Sequence, residues 1–179
     1  MKVLKKILLF IVALIAIALI AALFVNKEMK AEREIVINKP KQKVFDYIEY
    51  VKNQDNYSKW NKMDPAMKKT YNGTDGTVGF NYAWDSEKDD VGKGSQTISA
   101  IKDGERLDCD LHFLKPFDSK AKIYMVTTAV NDSTTKVTWA FNSKMPYPFN
   151  LMKLFMNMDK AIGDDFSTGL SNLKTVLEK

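Results

Sequence analysis

The sequence predicts an α+β domain carried behind one long apolar helix. Three observations lead there: an uncharged run opens the chain, short alternating strands fill its middle, and a pattern of helical period closes it.

The opening run "ILLFIVALIAIALIAALFV", Ile7 to Val25, has 19 residues without a charged or polar side chain. That is about the length needed to cross a hydrocarbon core of ~30 Å at roughly 1.5 Å per residue. Residues 1–26 are therefore expected to be a single-pass membrane anchor, with residues 7–25 in the bilayer. A cleaved signal peptide is the alternative. Such segments usually have an apolar core of about 7 to 15 residues, and here no polar stretch separates Ala16, Ala18, Ala21 and Ala22 from the run. Lys2, Lys5 and Lys6 precede the span, and a short basic tail resists translocation, which favours a globular part on the extracytoplasmic side. Lys27, Lys30 and Arg33 follow the span, mixed with Glu28, Glu32 and Glu34, and pull the other way. Residues 27–31 form a short charged tether, so the domain at 32–179 is expected to work close to a bilayer surface.

After the tether, "REIVINKP" offers a first strand stopped by Pro40. In "KQKVFDYIEYV" the apolar Val44, Phe45, Ile48 and Val51 recur at helical spacing, and "KNQDNYSKWN" reads as a second short helix or turn near Trp60. From Met67 to Lys144 the period changes to two. "TVGFNYAW" alternates Val78, Phe80, Tyr82 and Trp84 on one face, and "RLDCDLHF" sets Leu107, Cys109, Leu111 and Phe113 against Asp108, Asp110 and His112. "KIYMVTTAV" and "KVTWAF" add two β-branched, aromatic runs, and turn signals such as "NGTDG", "SEKDD", "KDGE", "KPFDS" and "NDSTT" separate them. About six short strands with tight turns make an antiparallel meander. Its apolar face needs a cover, and a helix from about Pro148 to Glu178 is the one element long enough.

The order of these elements resembles a known family. A strand, then "INKPKQKVFDYI" with Pro40 three residues after Ile37 and a Val-Phe pair, then the Trp of "YSKWN", a meander and a long terminal helix resemble the SRPBCC superfamily, also called START-like or Bet-v-1-like. Within it the chain is most similar to the polyketide cyclase/dehydrase and lipid transport proteins, over roughly Glu32 to Lys179. The resemblance implies a helix-grip fold, in which a strongly curved antiparallel sheet wraps around the C-terminal helix and leaves a deep cavity. It also implies a small hydrophobic ligand such as a lipid, sterol, polyketide or plant hormone. Only some members of the family catalyse a reaction.

Composition excludes several other classes. The net charge of +5 comes with three lysines in the first six positions, and the rest is nearly balanced, so no nucleic-acid footprint is expected. With His112 the only histidine and Cys109 the only cysteine, no disulfide, metal site or other cofactor is expected. "DSEKDD" lacks the glycine and closing glutamate of an EF-hand, and "NGTDGTVG" lacks the Lys-Ser/Thr of a phosphate-binding loop. His112 lies on the polar face of its strand, away from Cys109.

What remains is a set of candidate ligand-binding residues. Phe80, Tyr82, Trp84, Phe113, Trp139 and Phe141 occupy inward faces, with Trp60 near the entrance. On the terminal helix, Met152, Phe155 and Met156 share a stripe with Ile162, Phe166 and Leu170, and the carboxylate of Asp159 falls near its centre. Either Asp159 faces a cavity, or it is a buried acid paired with a Lys, Tyr or His from the sheet. Three functions are compatible with this pattern: a non-enzymatic binding protein for a lipid-like or polyketide-like ligand, a cyclase/dehydrase-type enzyme using Asp159 and Tyr82 as acid and base, and an envelope or stress protein acting through protein contacts.

Overall fold

The computed structural model describes residues 2–179. Helix α1 (Lys2–Phe24) stands out from the rest, with Ala22 its one buried residue. It is a candidate membrane span by length and composition. The chain then enters strand β1 (Glu28–Ile37), so most of the residues assigned above to a tether are the start of that strand. Helix α2 (Lys41–Ile48) buries Val44, Phe45 and Ile48 completely, as a 3.6-residue period requires of a helix laid on a core. A 3₁₀ turn (Val51–Asn53) leads into two short helices, α3 (Gln54–Tyr57) and α4 (Lys59–Met63).

Six further strands follow: β2 (Lys68–Asn72), β3 (Asn81–Asp85), β4 (Lys93–Lys102), β5 (Arg106–Lys115), β6 (Ser119–Asn131) and β7 (Thr134–Lys144). They form one antiparallel sheet in the order β1-β7-β6-β5-β4-β3-β2. Seven strands replace the expected six or so because "KKTYN" (β2) is an edge strand with no fully buried residue, too polar for its alternation to stand out. Val78 does not continue the Phe80, Tyr82, Trp84 face; it precedes β3 and is exposed.

The meander is local except at one place, where β1 crosses to pair with β7 from Glu28↔Lys144 to Ile37↔Thr135. Register shifts at Lys93/Gly94 and Ile98/Ala100 in β4–β5, and at Ala129/Asn131 in β6–β7, bend and twist the ladder. The result is a curved sheet holding helix α5 (Met158–Leu177) in its concave face.

Helix α5 starts ten residues later than expected. Residues Phe149–Leu154 are a separate 3₁₀ segment, and Asn157 opens α5 by accepting the Lys160 N–H on its side chain at 2.9 Å. The two stretches therefore share no common helical face. Along α5 the packing divides in two. Leu170 and Leu173 are closed over by Ile37, Val44, Phe45, Ile48, Met125 and Val137, whereas the first half of the helix faces the other core cluster, around Tyr82, Trp84, Ile123 and Phe141.

Candidate functional site

Between that second cluster and the first turns of α5 lies a cavity of about 380 Å³. The sheet supplies Tyr82, Trp84, Gln96, Leu111, Phe113, Ile123, Trp139 and Phe141; α5 supplies Met158, Ala161, Ile162, Asp165 and Phe166; α3 and α4 close one side with Gln54, Lys59, Trp60 and Asn61. Aromatic rings are braced against one another around it. Trp139 stacks on Phe166 with centroids 4.5 Å apart and planes 9° apart, while Phe113 meets both Trp84 (5.9 Å) and Trp60 (6.4 Å) edge to face.

The void exists at this end because the covering layer is thin there. Helix α4 has five residues, and α5 begins only at Met158. Gly94 matters to its shape. A side chain added at Gly94 would stand 2.6 Å from both the His112 carbonyl oxygen and the Trp84 ring, so the glycine lets Trp84 lie flat across β4 at the wall.

Polar groups in the wall are few and mostly neutral. The charged pair Lys59 and Asp165 bridges α4 and α5. Burial, with Asp55 and Tyr71 nearby, pushes the Tyr82 phenol well above its ordinary range, so it keeps its proton at neutral pH. Gln96 donates to the Cys109 sulfur at 3.4 Å. The indole nitrogens of Trp60 and Trp139 are buried and have no acceptor in the protein. Among the described residues no cluster of His, Cys, Asp or Glu is placed to hold a metal ion.

The structure brings together six of the sequence candidates and leaves the others outside. Trp60, Tyr82, Trp84, Phe113, Trp139 and Phe141 line the cavity. Phe80 lies behind the wall, buried and stacked on Tyr71 at 6.2 Å. Met152, Phe155 and Met156 do not line it; they belong to the 3₁₀ segment and its exit, and all three are exposed. Asp159 is likewise outside the wall. Arg33 on β1 reaches across Gly163, where any side chain would collide with the guanidinium, and donates to both carboxylate oxygens of Asp159 (3.1 and 3.2 Å) and to its backbone carbonyl. Asp159 also sits in the first turn of α5, where the helix dipole favours an acid. The partner comes from the sheet, but it is an arginine rather than the Lys, Tyr or His expected, and the pair is half exposed rather than buried.

Two consequences can be measured. Asp159→Asn should leave the unfolding midpoint almost unchanged and the affinity for an apolar probe within about twofold, because exposed ion pairs contribute little; a probe-binding defect in this variant would place Asp159 at the guest after all. Cys109 is buried, which pushes its thiol up to about 12, so at pH 8 its thiolate fraction is on the order of one in ten thousand. Ellman's reagent should react with it only as the protein unfolds; labelling of the native chain within seconds would contradict that burial.

Sequence reasoning missed Met29, Gln54, Ile123, Met158, Ala161, Ile162 and Phe166 as wall residues. Ile162 and Phe166 were on the apolar stripe already; Asn157 followed by Met-Asp-Lys carries a helix-start signature that marks Met158 and Ala161 as the first turn beside them.

No protein-family model matches the chain, and no curated protein matches it in sequence. Solved structures match it in fold. A protein of unknown function from Staphylococcus aureus superposes with a TM-score of 0.64 at 9% identity, over 86% of this chain and 95% of its own. Norcoclaurine synthase from Thalictrum, a point mutant holding a transition-state analogue, gives 0.59 at 6% identity over 84% and 97%. Ara h 8.0201 gives 0.52 at 16% identity, again over 84% and 97%. The curved seven-stranded sheet closed by a long C-terminal helix matches the helix-grip fold of these Bet v 1-like neighbours.

Proposed function

We propose that this chain is a membrane-tethered binding protein that holds one neutral, largely apolar small molecule, of lipid or polyketide type, between its sheet and α5. The observation that carries this reading is an aromatic-walled cavity with two buried indole donors that lack acceptors. A volume of about 380 Å³ falls within the ~300–1,000 Å³ of small-molecule sites. Leaving a buried donor unpaired costs about 1–3 kcal/mol, and a guest with a carbonyl, hydroxyl or ether oxygen recovers that. A charged guest finds no free counter-charge in the wall, since Lys59 and Asp165 engage one another.

Holding fits the site better than converting. The acid–base pair Asp159 and Tyr82 has one member outside the wall and tied to Arg33, and the other is a phenol that stays protonated. The tether is α1, whose side chains are exposed along nearly its whole length and match a bilayer in composition.

The test is displacement of Nile red, a neutral apolar dye, from the full-length protein in detergent. Saturable dye binding that neutral lipid fractions compete away, and that anionic amphiphiles of similar size compete poorly, is the expected result. Dye binding that no fraction displaces, or no binding at all, overturns the reading.

A further inference from the structure

The strand register gathers one end of the sheet around the exit of α1. Glu28, where β1 begins, pairs with Lys144, where β7 ends; Ala121 near the start of β6 pairs with Ser143; and Ser119 pairs with Phe113 near the end of β5. The β5–β6 turn and the whole β7–α5 connection therefore lie at this end. The 3₁₀ segment is fastened to α1 itself. Asn150, fully buried, donates to the carbonyls of Ala22 (2.7 Å) and Val25 (2.8 Å), and Lys153 donates to those of Asn26 and Glu28. The Ala22 carbonyl is one that the last turn of a helix otherwise leaves to water, and the other three lie in the segment that leads from α1 into β1.

The surface of this end is unlike the other. Among the described residues, eight of the twelve exposed large apolar side chains outside α1 are here: Leu114, Phe117, Tyr147, Phe149, Met152, Leu154, Phe155 and Met156. Phe155 is 86% exposed and Phe117 74%. The opposite end carries polar turns, Asp103-Gly104-Glu105 and Asp132-Ser133. Lys27, Lys30, Lys144 and Lys153 also lie at this end, Lys30 paired with Glu28 at 2.8 Å. Exposed aromatic side chains with lysines nearby form the pattern that settles at the boundary between acyl chains and headgroups.

We infer that this end of the domain lies on the bilayer, with Phe117, Phe149, Leu154 and Phe155 dipping into its interfacial layer, so that the domain is held against the membrane rather than swinging from α1. The inference rests on the reading of α1 as a span. Its occupant is a lipid surface because the segment is hydrogen-bonded to the end of that span and cannot sit far from the lipid boundary. The arrangement also sets the cavity beside the lipid: a groove between Asn26–Lys30 and Lys153–Asp159 opens at this end, and Met29 and Met158 belong to the walls of both groove and cavity.

Full-length protein carrying Phe155→Cys, Phe117→Cys or Val130→Cys, labelled with the dye NBD and reconstituted into phosphatidylcholine nanodiscs, tests it without any ligand. Buried Cys109 leaves the introduced thiol as the labelling site, and Val130, exposed on β6, serves as the far-end control. The expected result is quenching by brominated acyl chains several-fold greater at positions 155 and 117 than at 130, with blue-shifted emission. Three results overturn the inference: equal, water-like emission at all three sites; shielding at 155 and 117 without quenching by brominated lipid, which means a second copy or another protein covers the patch; and failure of the protein to co-purify with the nanodiscs. None of these readouts depends on the cavity being occupied, so a failure here is distinct from a failure of Nile red binding.

Discussion

Replacing Leu111 and Ile162 together by Trp is expected to lower the affinity for Nile red at least about tenfold, a loss of roughly 1.4 kcal/mol or more of binding free energy. Leu111 comes from β5 and Ile162 from α5, so the two new indoles enter the cavity from its two layers. Overpacking a filled core costs about 1–3 kcal/mol because neighbours must leave their rotamers. Here the added atoms have a void to enter, so the stability should change little while the guest loses its room. The paired readout separates the two possible failures. Lost dye binding with an intact unfolding transition supports the cavity as the site; retained dye binding moves the site elsewhere on the chain.

The second large effect concerns Gly94→Ala. A β-carbon there would lie 2.6 Å from a backbone oxygen of β5 and 2.6 Å from the Trp84 ring, and the backbone contact cannot be relieved by turning a side chain. The position also coincides with a register shift between β4 and β5, where the sheet bends. A destabilisation near the upper end of the overpacking range, about 3 kcal/mol, is expected from urea unfolding of the full-length protein in detergent. Trp84 forms part of the cavity wall, so weaker dye binding should accompany it. An unchanged midpoint would mean that the strand pair is more widely spaced at Gly94 than the structure has it.

How much of this was legible in the sequence depends on whether a residue's role is local. The strands β3, β5, β6 and β7 and the helix α2 each bury one face, so the period of two or 3.6 is written directly in Tyr82 and Trp84, in Leu107 and Cys109, and in Val44, Phe45 and Ile48. The apolar helix declares itself by composition. The misplacement of Met152, Phe155 and Met156 came from running one 3.6-residue period across the joint between the 3₁₀ segment and α5, which begins only at Met158. An N-cap overrides periodicity because it fixes where the first turn starts, and Asn157 was there to be read.

Met29 was hidden for a related reason. In "EMKAEREIVI" the inward positions carry Met29, Ala31 and Arg33 before Ile35 and Ile37, so the alternation looks charged on both sides. Arg33 faces inward because it has Asp159 to meet, and that pairing spans 126 residues of sequence. The unpaired indoles of Trp60 and Trp139 could not have been anticipated at all, since satisfaction of a donor is a property of the assembled tertiary structure. Asp159, an acid on the apolar stripe of the terminal helix, forms a partly exposed ion pair with Arg33, and the hollow stands without it.

The central claim is that the space between sheet and α5 holds a neutral apolar guest, and native mass spectrometry of the full-length protein, released from detergent micelles, tests it most directly. One non-covalent adduct per chain, absent from the Leu111→Trp/Ile162→Trp variant and recovered by organic extraction as an uncharged molecule bearing at least one oxygen, is the predicted result. A spectrum of bare protein that remains bare after incubation with neutral lipid extract, or an adduct that persists in the filled variant, would contradict it.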